Sequence, residues 1–159
     1  MWKVCKYILL DLARNRFVLL YALLQLLLSW GLFMVQGDPL KAVITLTQVE
    51  LALVPLLMLV FTIIHFFNQY EFTVLLAVQP LRRRTILTAQ FAALAFALLF
   101  AFLFGVGLPL LVYAPTMASL TLLLAGSALT LVFIALGLAV AVVQRDRARA
   151  VGLGLVTWV

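Results

Sequence analysis

The sequence predicts an all-α, polytopic integral membrane helix bundle preceded by an amphipathic helix. Composition is the first reason: 67% of the 159 residues are hydrophobic and 10% are charged, against about 45–50% and about 25% in an ordinary globular domain. The mean hydropathy is +1.27, more apolar surface than a soluble domain of this size can bury. Block length is the second. The apolar residues run in long continuous stretches without the alternation of a β-barrel, and a continuous stretch satisfies its backbone in lipid only as a helix. The third is charge, because the basic residues gather between those stretches on one side.

Residues 1–16 read as an interfacial elbow helix. At about 100° per residue, Trp2, Cys5, Ile8, Leu9, Leu12 and Ala13 share one arc, while Lys3, Lys6, Asp11, Arg14 and Asn15 fall mainly on the other. A short disordered basic terminus is the alternative. Charges throughout, with no small-residue cleavage site after them, argue against a signal peptide. Apolar spans follow at 17–35, 43–67, 86–112 and 117–143. A helix rises about 1.5 Å per residue and the hydrocarbon core is about 30 Å thick, so roughly 20 residues cross it. Residues 151–159 are too few, and are expected to be the start of a fifth span, either because the chain is the N-terminal part of a longer protein or because its gene model is truncated. Pro55 is expected to kink the second span. Gly105, Gly107 and Pro109 are expected to loosen or end the third near its outer face.

Four spans place the N-terminus, the loop at 68–85 and the loop at 144–150 on one side, with the loops at 36–42 and 113–116 opposite. Of the eleven Lys and Arg, all but Lys41 lie on the N-terminal side. The positive-inside rule makes that side cytoplasmic. The net charge of +6 is therefore mostly a topology signal with some attraction to anionic lipid. No soluble basic face is left for nucleic acid.

The loop after the second span holds the most distinctive pattern. Asn68 and Glu71 have the spacing of an N-cap and its reciprocal partner, and Pro80 disfavours helix at Gln79. A short helix over 68–80 would carry Phe72, Leu75 and Leu76 on one stripe, with Tyr70, Thr73 and Ala77 on the other side. The run Arg82-Arg83-Arg84 then anchors the third span at the headgroups. Such a helix either docks into a soluble partner or lies on lipid.

The stretch Tyr70-Glu71-Phe72-Thr73-Val74-Leu75-Leu76-Ala77-Val78-Gln79-Pro80, with Arg82-Arg83 after it, resembles the loop motif of ABC-2-type transporter permeases. Asp11-Leu12-Ala13-Arg14-Asn15-Arg16 resembles the family's pattern before its first span, and Val54-Pro55-Leu56-Leu57 its second-span pattern. The permeases of nitrous-oxide-reductase maturation are the subgroup most similar. Two positions depart from the pattern: Gln90 stands where a Lys is frequent, and Leu81-Arg82 where a Ser is expected. The resemblance implies an elbow helix, six spans and a bacterial inner-membrane location. It also implies a homodimer paired with a cytoplasmic ATPase subunit, with the loop helix as the coupling element. Carried onto this chain, the ATPase-coupling residues are Asn68, Tyr70, Glu71, Phe72, Thr73, Leu75, Leu76, Gln79 and Pro80. The partner would bind ATP, so the chain itself is expected to hold no cofactor and to be no enzyme; it has no GxxxxGK[ST] run. The subgroup adds a link to copper-enzyme maturation and a periplasmic accessory partner. The alternative is a non-transport membrane anchor or assembly subunit.

Within the spans, Glu50 reads with Gln48 as a pathway residue, or else as a protonated, snorkelling or helix-bonding side chain. His65 reads as a structural hydrogen-bonder. Ala93, Ala97, Ala101 and Gly105 form a small-residue ridge for close helix packing, within the chain or between two copies, and Phe96, Phe100 and Phe104 line the neighbouring ridge. Gly137 and Ala141 make a weaker pair on the fourth span. One Cys and one His exclude a disulfide framework and a multi-His metal site. Met34, Met58 and Met117 are too scattered to bind copper. Ser29, Ser119 and Ser127 lack a nearby base, so a serine-nucleophile enzyme has no support.

Overall fold

The computed structural model describes residues 16–69, 83–144 and 146–158. The elbow helix and most of the proposed coupling helix, from Tyr70 to Pro80, lie outside the described residues. Helix α1 spans Arg16–Gln36, α2 Pro39–Asn68 and α3 Arg83–Phe102. A π-helical segment, Leu103–Gly107, joins α3 to α4 (Leu108–Tyr113). Helix α5 covers Met117–Val143 and α6 Arg147–Trp158. No strand occurs among the described residues.

Among the described residues, four stretches are long and apolar enough to cross a membrane: Arg16–Gln36, Pro39–Asn68, Leu87–Tyr113 and Met117–Val143. The distribution of side chains fits that solvent. Gln25, Ser29, Glu50, Thr62, Gln90 and Thr130 are buried, whereas Leu19, Leu23, Leu27, Met34, Phe96, Phe100 and Leu124 are exposed. A protein in water sorts these residue types the other way; facing lipid, the apolar exterior needs no cover and the polar groups turn inward.

The turns explain the connectivity. Gly37 has φ +63, the left-handed conformation that stops a helix and that glycine adopts without a Cβ clash. Asp38 then caps α2, its carboxylate accepting from the Leu40 amide at 3.1 Å, with Pro39 in the first helical turn. These three residues start α2 before its apolar run at Val43. Thr116 caps α5 in the same manner, its Oγ1 accepting from the Ser119 amide at 3.4 Å. The Asp146 carboxylate accepts from the Ala148 amide at 3.2 Å at the start of α6.

Pro109 accounts for the π-helical segment. Its ring lacks an N–H and crowds the carbonyl four residues back, at Gly105. A wider turn there keeps the helix going past the proline. The expected loosening near Gly105, Gly107 and Pro109 thus takes the form of a π turn with helix on both sides. Helix α2 is continuous through Pro55.

Glycines set the closest helix contacts. A Cβ on Gly137 of α5 would stand 2.9 Å from Thr62 Cβ on α2. Gly126 faces the ring of the fully buried Phe102. Gly154 of α6 meets Ile63 Cδ1 of α2, where Ile63, Ala141 and Ala150 form a second small cluster. Dispersion drives helix association in lipid, and a missing Cβ lets two backbones approach. The Trp158 indole N–H donates to the Ala52 carbonyl at 3.2 Å, tying the end of α6 to α2. Gly137→Ala is expected to lower stability by about 1–3 kcal/mol through overpacking. Gly152→Ala, with nothing within 4 Å of the added carbon, should leave it unchanged or slightly raised. Denaturant unfolding in detergent micelles measures both.

Candidate functional site

Helix α1 is apolar almost all round, yet Tyr21, Gln25 and Ser29 recur at every fourth position and are all buried. That spacing puts them on one face. The face meets α2 where Glu50 projects from the opposite side, 2% exposed. Gln25 Nε2 donates to Glu50 Oε2 at 2.9 Å and to the Tyr21 hydroxyl oxygen at 3.1 Å. Ser29 Oγ donates to the Gln25 carbonyl at 2.8 Å. The cluster therefore bridges two helices through one carboxamide.

Its depth is central. Glu50 lies about 16 Å from the start of α2 and Gln25 about 14 Å from the start of α1, at about 1.5 Å per residue. The third wall is the π-helical segment. A Cβ on Gly105 would stand 2.6 Å from Gln25 Cβ and 3.0 Å from the Ala22 carbonyl oxygen. The wide turn forced by Pro109 thus lies directly behind the carboxamide.

Of the residues singled out in the spans, Glu50 joins this site and Gln48 does not. Gln48 is exposed, because two residues along a helix turn the side chain through about 200°. Ala93, Ala101 and Gly105 are buried and Ala97 is half-buried, so this ridge faces the protein interior. Phe96, Phe100 and Phe104 face outward, with Phe100 stacked on Phe104 at 6.5 Å. Gly137 and Ala141, the weaker pair by spacing, sit in one of the closest crossings. His65 stacks on Phe61 at 5.8 Å.

Asn68 is the last residue of α2, followed by its cap Gln69, where the spacing with Glu71 had suggested the first residue of a new helix. Its Oδ1 accepts from the Arg147 guanidinium at 3.3 Å. Tyr70, Glu71, Phe72, Thr73, Leu75, Leu76, Gln79 and Pro80 lie outside the described residues. The three serine hydroxyls bond backbone carbonyls: Ser29 to Gln25, Ser119 to Ala114 and Ser127 to Leu124.

Sequence reasoning passed over Tyr21 and Gln25. The signal was present, since a polar side chain at every fourth position of an apolar span marks a face that cannot point into lipid. No protein-family profile matches the chain, and no curated protein matches it significantly.

Truncating one partner of this cluster strands the other. Glu50→Leu is expected to lower stability by about 1–3 kcal/mol, the cost of an unsatisfied buried donor. In a double-mutant cycle with Gln25→Leu, the coupling should be about 0.6 kcal/mol, the average for hydrogen bonds between membrane helices, and at most about 1.7 kcal/mol. Unfolding in micelles reads both values. In addition, Gly105→Ala should destabilise by about 1–3 kcal/mol, because the added carbon meets α1 backbone as well as side chain.

Proposed function

We propose that this multi-pass membrane protein is the permease subunit of an ABC-type transport complex. In this proposal it couples ATP hydrolysis by a separate cytoplasmic ATPase to export, or to conformational signalling across the membrane. One arrangement supports it. The Tyr70–Pro80 motif lies in the segment between the end of α2 at Asn68 and the start of α3 at Arg83. Arg16, Arg147 and Arg149 begin α1 and α6, whose starts belong to the same end under alternating spans. By the positive-inside rule that end is cytoplasmic, where a nucleotide-hydrolysing partner would be found. The root of the segment is also held, because Asn68 is bonded to Arg147. A pull on the loop would then reach both α2 and α6.

The subgroup likeness extends the proposal to maturation of a copper enzyme such as nitrous oxide reductase, with a second permease copy and a periplasmic accessory protein as partners. A membrane anchor without transport is the competing reading. What favours it is the close glycine packing of Gly105, Gly126 and Gly137, which suits a rigid scaffold.

Co-purification of the full chain with an ATPase subunit is the first expected result. Phe72→Asp should then remove an apolar anchor worth about 2 kcal/mol, the scale of a docking hot spot. It and Glu71→Ala should abolish stimulation of ATP hydrolysis in proteoliposomes while the complex still assembles. Full coupling in both variants would transfer support to the anchor reading.

A further inference from the structure

The hydrogen-bond inventory between α1, α2 and the π-helical segment does not balance. Gln25 Nε2 uses both its hydrogens, one on Tyr21 and one on Glu50 Oε2. Glu50 Oε1 and Gln25 Oε1 are both buried and have no partner among the described residues. The hydrogen still to be assigned in this trio is that of the Tyr21 hydroxyl. One hydrogen cannot fully serve two oxygens, and an ionised carboxylate brings none of its own.

Among the described side chains, positive charge does not make up the difference. From α1, Tyr21 is the titratable neighbour, and Arg16 lies about 14 Å from Gln25 along the helix. On α2, Lys41 is exposed and about 14 Å from Glu50, and His65 is about 22 Å away in the other direction. Residues 87–143 contain Tyr113 as their one titratable side chain, stacked on Phe33 at 5.4 Å. In α6, Arg147 and Arg149 occupy the first turn, at the end bonded to Asn68. A carboxylate at this depth would be an anion without a counter-ion among the described side chains, which the hydrocarbon region penalises.

We infer that Glu50, with Gln25 and Tyr21, forms a reversible proton-binding site within the membrane-spanning region. A proton on Glu50 is the missing donor. With the proton absent, the Gln25 amide nitrogen faces the carboxylate, as the 2.9 Å bond has it. With the proton present, Glu50 gains a donor, and Gln25 Oε1, on the side chain already bonded to it, is the buried acceptor still open. Gly105 closes on Gln25 Cβ, which fixes the stem that holds the carboxamide against Glu50. The site uses no residue of the 68–80 loop and stands whether or not an ATPase docks there.

An apolar carbodiimide, dicyclohexylcarbodiimide, distinguishes the two forms, because it modifies a carboxylic acid in an apolar setting and spares the carboxylate. The full chain is labelled in liposomes over a pH series and modification at Glu50 is read by mass spectrometry. Labelling should fall by about tenfold for each pH unit above its midpoint, as a one-proton titration requires. Tyr21→Phe and Gln25→Leu should each move that midpoint. Infrared pH-difference spectra should show a carboxylic-acid carbonyl band that Glu50→Gln removes, while that isosteric variant remains folded. Labelling that is the same at every pH, or that Na+ suppresses at constant pH, would overturn the proton assignment.

Discussion

A hydrogen bond between Gln25 and Glu50 is the interaction around which the bundle is arranged. The hydrocarbon region offers no water, so a polar side chain there must find its partner inside the protein. Gln25 and Glu50, on different spans, meet that demand by facing each other. Their pairing fixes the rotation of α1 and α2 about their own axes, and hence which leucines are left to lipid. Tyr21 and Ser29 extend the constraint along α1, through bonds to and from the same glutamine.

Close packing then secures what the polar pair orients. Gly105 lets the π-helical segment touch α1 behind Gln25, and Gly137 lets α5 touch α2 at Thr62. Neither contact would survive an ordinary side chain. Proline contributes indirectly: Pro109 cannot complete a regular turn, and the wide turn that results carries Gly105 to the carboxamide. A backbone irregularity of this kind next to buried polar groups is common at functional positions in helices. It gives the intramembrane carboxyl an environment distinct from a plain helix crossing.

If the proposed function and the inferred proton site hold, the basic end and the intramembrane cluster are two separate zones of the molecule. The loop zone would receive force from a partner. The carboxyl zone would respond to protons. Helix α2 belongs to both, carrying Glu50 near its middle and Asn68 at its end. Helix α6 clamps it at two points, through Arg147 on Asn68 and Trp158 on Ala52.

Span existence was legible from sequence because hydropathy is a local property: the run at 117–143 coincides with α5, the first two runs differ from their helices only at the ends, and the third corresponds to α3, the π-helical segment and α4 together. Those ends shifted where capping chemistry extends beyond the apolar run, as Asp38-Pro39 does for α2. The four-residue repeat marked Gly105 as part of a packing ridge and left open whether that ridge met this chain's own helices or a second copy. What periodicity could not supply was the choice of partner. Glu50 could be seen as costly in lipid, but its bond to Gln25, the exclusion of Gln48 and the closeness of the Gly137 crossing depend on how two helices rotate against each other. Local composition determines that a segment enters the membrane; the pairing of faces is a property of several segments at once, and only the tertiary structure decides it.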